Sequence, residues 1–64
     1  MKIISEVLEV ATNGESLVIK SRGRAVAGPD WRPYLVCNME VPDTRSNRRA
    51  FYVGRKVVIE VKPV

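Results

Sequence analysis

Arginine and aromatic side chains occur together in two stretches of the 64-residue chain, residues 22–34 and residues 45–55. A guanidinium group binds phosphate or carboxylate oxygens through two parallel hydrogen bonds, and an exposed aromatic ring offers a surface on which a flat base can stack. In the first stretch Trp31 is followed directly by Arg32, and in the second Tyr52 lies between arginines. The candidate binding residues are Arg22, Arg24, Arg32, Arg45, Arg48, Arg49, Trp31, Tyr34 and Tyr52.

Most catalytic chemistry is missing from the chain. It has no histidine and one cysteine, Cys37, so a nucleophile activated by an imidazole base is excluded. Its glycines do not have the spacing of a phosphate-binding loop, and its carboxylates are not clustered as metal ligands are. A chain of this length also leaves little room for the pocket of roughly 300–1,000 Å³ that small ligands occupy. We expect no enzyme, no cofactor or metal, and no small-molecule substrate.

The positive charge is concentrated in one part of the chain. Eleven lysines and arginines exceed seven aspartates and glutamates, which gives a net charge of +4. Residues 42–56 carry five cations and a single anion, Asp43, whereas residues 1–19 are net negative. Arginines on a surface are commonly solvated without any ligand, and an acidic protein would attract the same groups as a nucleic acid. Charge alone therefore leaves the class of partner open.

Five segments have the residue pattern of β-strands. Valine and isoleucine dominate the apolar residues, and their branched side chains suit a pleated surface. Asn13-Gly14 predicts a hairpin, and Gly54-Arg55 predicts a second tight turn. The predicted strands are Lys2–Val10, Ser16–Arg22, Tyr34–Val41, Ala50–Val53 and Lys56–Lys62. Residues 1–64 are thus expected to form one all-β domain, a small five-stranded, partly open antiparallel barrel, because an open sheet would leave long edges unpaired.

Alternation of apolar and polar residues predicts which side chains face inward. In the second segment Leu17 and Ile19 are expected inside, with Val18 outside. In the third segment the inward set is expected to be Leu35, Cys37, Met39 and Val41.

The segment Lys2–Val10 allows a second interpretation. Ile3, Ile4, Val7 and Leu8 also have the spacing of one face of a short helix. The alternative fold is α+β, with this segment helical against a four-stranded sheet. Pairing through the Asn-Gly hairpin favours the strand.

Two functions fit these features. The polar stretches 23–33 and 43–49 are expected to be loops at the rim of the barrel, which would bring most of the arginines to a common surface. The first hypothesis is a module that binds nucleic acid, single-stranded or RNA, because no recognition helix is visible. The alternative is a protein–protein interaction or assembly module acting as an oligomer, since the core is small and Val36 and Val58 are expected outside. Converging arginines favour the first function, and dispersed arginines beside an apolar patch favour the second.

The sequence also predicts a cytoplasmic protein without membrane contact. A single thiol suits a reducing compartment, and no apolar run approaches the ~20 residues that cross a bilayer.

Overall fold

Four strands and one short helix form the described part of the protein. The computed structural model describes residues 1–25 and 34–64. Its elements in chain order are β1 (Lys2–Asn13), β2 (Ser16–Ala25), β3 (Tyr34–Pro42), α1 (Arg45–Ala50) and β4 (Lys56–Glu60). The only helix in these two ranges is far too short to cross a membrane.

The four strands form one antiparallel sheet in the order β3-β2-β1-β4. Three consecutive strands lie side by side, and the fourth returns through α1 to pair with the first, which is Greek-key connectivity. The sheet curves into a half-barrel. The all-β class is confirmed, whereas the expected fifth strand and the closure of the barrel are not.

The predicted strand Ala50–Val53 is wrong, and so is the interpretation of residues 43–49 as a loop. The chain instead forms α1, which begins after the cap residue Thr44, whose hydroxyl accepts a hydrogen bond of 3.1 Å from the Asn47 amide. Its last turn leads to Phe51, whose amide donates to the Asn47 carbonyl oxygen. Six polar and small residues carry no apolar periodicity, so the pattern that reveals longer helices is missing here.

The N-terminal segment is a strand, so the alternative of an N-terminal helix is wrong. Its pairing with β2 contains a β-bulge: Val7 lies opposite Ser21 and Glu9 lies opposite Lys20, which leaves Leu8 without a partner. An extra residue reverses the alternation of side chains along the strand. Before the bulge the odd-numbered residues face the core, and beyond it an even-numbered residue, Val10, packs against the core.

The hairpin between β1 and β2 is confirmed, with its turn one residue later than the Asn-Gly pair suggested. Asn13 pairs with Ser16, so Gly14 and Glu15 are the central residues. Gly14 has φ of +65°, and no residue other than glycine has a positive φ in the described ranges. A positive φ at the first central position alone is the pattern of a type II′ turn.

The core lies on the concave face of the half-barrel. Ile3, Val7, Leu17 and Ile19 are buried there, which confirms the inward prediction for the two β2 residues. The predicted alternation of β3 is also confirmed, because residues 35, 37, 39 and 41 are half-buried while 36, 38 and 40 are exposed. Phe51, which follows α1, packs against this core from the end of the sheet.

Candidate nucleic-acid interface

Helix α1 presents three arginines to solvent. Arg45, Arg48 and Arg49 are three and four residues apart, which places them on neighbouring positions of one helical face. Arg45 and Arg49 are each two residues from Asn47, the one half-buried residue of the helix, so they project from the opposite side. The Asn47 side chain ties the helix to the end of β3 through a hydrogen bond of 2.8 Å to the Pro42 carbonyl oxygen.

One of these three arginines already has a carboxylate partner. Arg48 makes a two-point contact with Asp43, at 2.5 Å from Nε to Oδ1 and 2.7 Å from Nη2 to Oδ2. These hydrogen bonds, assisted by the positive charge, hold the pKa of Asp43 below its ordinary value of 3.8. The same contact raises the pKa of Arg48. Arg48 is therefore less available to a ligand than Arg45 and Arg49, which form no ion pair with any described residue.

A second cationic contact follows the helix. The Arg55 guanidinium lies over the ring of Tyr52, with Cζ 5.5 Å from the ring centroid, and Nη1 donates a 3.1 Å hydrogen bond to the phenol oxygen. The chain can bring them together because residues 52–55 form a turn closed by the Arg55 amide and the Tyr52 carbonyl oxygen, 2.9 Å apart. Gly54 supplies the positive φ of +91° that the third position of a type II turn requires.

That turn is held against the sheet at the bulge. The Gly54 amide donates to the Val7 carbonyl oxygen at 2.8 Å, and the Val7 amide donates to the Arg55 carbonyl oxygen at 2.9 Å. The observed turn replaces the predicted Gly54-Arg55 turn, with Val53 and Gly54 as its central residues. The second half of the turn, Gly54 and Arg55, is thereby fixed to β1, and Tyr52 at its start stays 49% exposed.

The two remaining described arginines lie on a different surface. Arg22 and Arg24 are exposed on the convex face of β2, in line with Lys20. Arg22 lies opposite Val36 of β3, six residues before the end of that strand, so about 20 Å of strand separates it from the start of α1. The described arginines therefore form two groups, one on the convex face and one at the α1 end.

The expectation that two rim loops bring most of the arginines to a common surface is wrong for the described residues, because Arg22 and Arg24 lie in β2 and Arg45, Arg48 and Arg49 lie in α1. Residues 26–33 of the predicted loop 23–33 lie outside the described residues.

Three of the predicted site residues have little or no structural description. Trp31 and Arg32 lie outside the described residues. Tyr34 is the first residue of β3 and pairs with Arg24 through the backbone register.

Carboxylates neutralise a larger share of the positive charge on the convex face than at the α1 end. Pairing places Glu6 between Arg22 and Lys56, and Glu9 opposite Lys20. Residues 43–55, in contrast, contain four arginines and one aspartate, a net charge of +3 within the +4 of the whole chain. The surface formed by α1 and the 52–55 turn, hereafter the α1 surface, thus carries most of the excess positive charge.

An apolar groove lies on the concave face between the two edge strands. It has a volume of about 180 Å³ and is lined mainly by side chains from β3 and β4 together with Phe51. Cys37 and Met39 form the β3 side, and Val57 and Ile59 form the β4 side. Cys37 is a free thiol in this apolar wall, consistent with its expected inward position.

Sequence reasoning omitted two residues that shape the α1 surface. The sequence indicates Asp43 only as part of the charge balance, although its position five residues before Arg48 lets it reach over the first turn of α1. The sequence predicts Arg55 only as a turn residue, and its contact with Tyr52 depends on Gly54 folding the chain back. The spacing of Tyr52 and Arg55 on either side of a glycine is the available signal, and it is weak without knowledge of the turn type.

Comparisons with protein-family models, with curated proteins and with solved structures give no match to this chain. Within the described ranges, no three histidine, cysteine, aspartate or glutamate side chains come close enough to hold a metal ion.

Proposed function

We propose that the protein is a non-enzymatic module that binds nucleic acid, single-stranded or RNA, through the α1 surface. Arg45 and Arg49 bind phosphate oxygens, and a base stacks on the face of the Tyr52 ring opposite the one over which the Arg55 guanidinium lies. The observation that carries the proposal is the concentration of charge: four arginines and one carboxylate lie within residues 43–55. Phosphate is the anion that a guanidinium binds through two parallel hydrogen bonds.

Repulsion within the helix supports an anionic ligand. Arg45 and Arg49 are four residues apart, a spacing at which like charges destabilise a helix. Asp43 neutralises only Arg48. A phosphate bound between Arg45 and Arg49 would remove the remaining repulsion, so ligand binding and helix stability are expected to reinforce each other.

The ring of Tyr52 favours single strands or splayed bases over a duplex. Stacking on an aromatic ring requires an unstacked base, which a regular double helix does not offer. Helix α1 has six residues and is only about 9 Å long, too short to span a major groove as a recognition helix does.

Fluorescence anisotropy with labelled single-stranded DNA, single-stranded RNA and duplex DNA of one length tests the proposal. Phosphate contacts release counterions, so the wild-type affinity should fall linearly with salt on logarithmic axes. The double variant Arg45→Ala/Arg49→Ala should weaken binding by more than about tenfold and reduce that slope by about two. Tyr52→Ala should weaken binding without changing the slope.

The matched control is Lys20→Ala/Arg22→Ala, which removes the same charge from the convex face. Equal losses in the two double variants would show that net charge alone drives binding and would refute the α1 surface as the site. Arg48→Ala should weaken binding less than Arg49→Ala, because Arg48 is paired with Asp43. If no nucleic acid binds even at low salt, the proposal fails, and the protein-interaction alternative becomes the better explanation of the basic surface.

A further inference from the structure

Strand β4 is an edge strand of the sheet, and the backbone amide and carbonyl groups of every second residue point away from β1. Met1 and Val61 exchange two hydrogen bonds of 2.8 Å, and the Val7 amide donates to the Arg55 carbonyl oxygen. Antiparallel pairing alternates, so odd-numbered residues of β4 direct their amide and carbonyl groups toward β1. The corresponding groups of Lys56, Val58 and Glu60 therefore face the edge, where the described residues place no further strand.

The sequence of β4 is complementary to itself when it runs antiparallel. It reads Lys-Val-Val-Ile-Glu, with a cation at one end, an anion at the other and apolar residues between. Two copies centred on Val58 place Lys56 of each opposite Glu60 of the other. The inner residues Val57 and Ile59 then face one another, and the two Val58 side chains meet on the twofold axis.

We propose that two copies of this chain pair through the free edges of β4, with a twofold axis at Val58, to form a continuous eight-stranded sheet. In this register the three residues whose backbone groups face the edge all find partners: Lys56 pairs with Glu60, Val58 with Val58, and Glu60 with Lys56. Each pair can exchange two hydrogen bonds. The interface is isologous, as most dimer interfaces are.

Neighbouring registers lose these contacts. Moving the strands so that the axis lies at Lys56 places two cations opposite one another, and an axis at Glu60 places two anions together. Like charges directly opposite destabilise a strand pair. A relative shift of one residue would direct the edge-facing backbone groups of one copy toward residues whose own groups are used by β1. An axis at Val57 or Ile59 keeps the backbone pairing but places Val58 opposite Lys56 or Glu60, so both Lys56–Glu60 contacts are lost.

The charge pattern of the convex face continues across the proposed interface. Within one copy, Arg22, Glu6 and Lys56 lie opposite one another on adjacent strands. Glu60 of the second copy would follow Lys56, and its own neighbour on β1 is Lys2. The five side chains, one from each of five neighbouring strands, would then alternate in charge across the dimer. Opposite charges that face one another on adjacent strands stabilise the strand pair.

Exposed apolar side chains form the centre of this interface. Val58 is 65% exposed, and its partner Ile4 on β1 is 44% exposed. Pairing around Val58 joins the Ile4–Val58 strip of one copy to that of the other, which shields these side chains from water. The proposed pairing would therefore cover Ile4 and Val58, two of the apolar residues that are exposed on the convex face.

Sedimentation velocity over a wide range of protein concentration tests the dimer. The wild-type chain should form a reversible dimer, and Val58→Glu should raise its dissociation constant by more than about tenfold, because two carboxylates would meet on the axis. Val36→Glu is the matched control, since Val36 is 55% exposed on the other edge strand and lies opposite Arg22. A wild-type monomer at every concentration, or equal weakening by the control, would overturn the proposal.

A disulfide reports the register directly. Paired residues on an antiparallel ladder have α-carbons about 5.5 Å apart, within the range that a disulfide spans. In a Cys37→Ala background, Val58→Cys should form a covalent dimer on mild oxidation much faster than Val36→Cys. Equal rates would contradict a twofold axis at Val58. Because Val58→Glu leaves every arginine of the α1 surface in place, failure of the dimer and failure of nucleic-acid binding are distinguishable.

Discussion

Gly23 in β2 lies directly against the backbone of Ile4 in β1. A β-carbon at position 23 would overlap the Ile4 carbonyl oxygen and stand only 2.7 Å from the Ile4 carbonyl carbon and the Ser5 α-carbon. All three are backbone atoms of the neighbouring strand, so no side-chain rotation relieves the overlap. The close approach of β1 and β2 therefore depends on glycine at this position.

Gly23→Ala should lower the free energy of unfolding by about 3 kcal/mol, because the β1–β2 pairing must shift to admit a methyl group. Urea denaturation followed by circular dichroism measures the change. Gly14→Ala is the comparison: position 14 has open space but a φ of +65°, so only conformational strain of about 1 kcal/mol is expected. An equal or smaller effect at position 23 would contradict the crowding.

The orientation of β1 shows where sequence patterns stop being informative. Strict alternation groups Ile4 with Leu8 and Val10 and leaves Val7 on the other face. The bulge at Leu8 changes the alternation within the strand, so Val7 and Val10 both pack in the core. No residue type marks the bulge, because it depends on the register with β2 and on the turn bonded to Val7.

Adjacent residues at the bulge should respond very differently to truncation. Val7→Ala removes two buried methyl groups and should cost about 2 kcal/mol of unfolding free energy. Leu8→Ala removes more atoms but from a residue that is exposed on the bulge, and should cost less than about 1 kcal/mol. Thermal unfolding of the two variants measures this difference. A larger loss of stability in Leu8→Ala than in Val7→Ala would mean that the bulge is elsewhere.

Ser5 should be replaceable with a gain in stability. Its side chain is fully buried on the concave face, and its hydroxyl oxygen has no hydrogen-bond partner among the described residues. Removing an unsatisfied buried hydroxyl should raise the free energy of unfolding by about 1 kcal/mol in Ser5→Ala. Ser46→Ala on exposed α1 serves as the control, with little change expected. Destabilisation by Ser5→Ala would show that the hydroxyl has a partner in solution.

The contact between Asp43 and Arg48 should stabilise the protein only above acidic pH. Arg48 lowers the pKa of Asp43 in the folded state, so the unfolded state takes up a proton first as the pH falls. The stabilisation is complete above the ordinary value of 3.8 and disappears as the pH falls through the lower, folded-state pKa. A double-mutant cycle of Asp43→Asn and Arg48→Gln, followed by melting temperature, should show coupling at pH 7 that vanishes in strong acid. Coupling that persists there would exclude an ionic origin.

The candidate site was predictable in composition and only partly in geometry. The concentration of arginine in residues 45–55 and its proximity to Tyr52 are visible in the sequence. Their assembly is not, because it requires a six-residue helix without apolar periodicity and a turn set by Gly54. Alternation also placed Arg22 outside on β2, but it could not show that a strand's length separates Arg22 from α1.

Strand β1 pairs with two strands, β2 and β4, whose sequence separations from β1 are very different. Asn13 and Ser16 meet across a two-residue turn, whereas Lys2 meets Glu60 almost at the opposite end of the sequence. Local contacts form quickly and distant ones slowly, so the β1–β2 hairpin is expected in the folding transition state and β4 is expected to dock afterwards. Substitutions in β4 should then accelerate unfolding and leave the refolding rate almost unchanged. The lifetime of the native state, rather than the speed at which it is reached, is the property that the last strand controls.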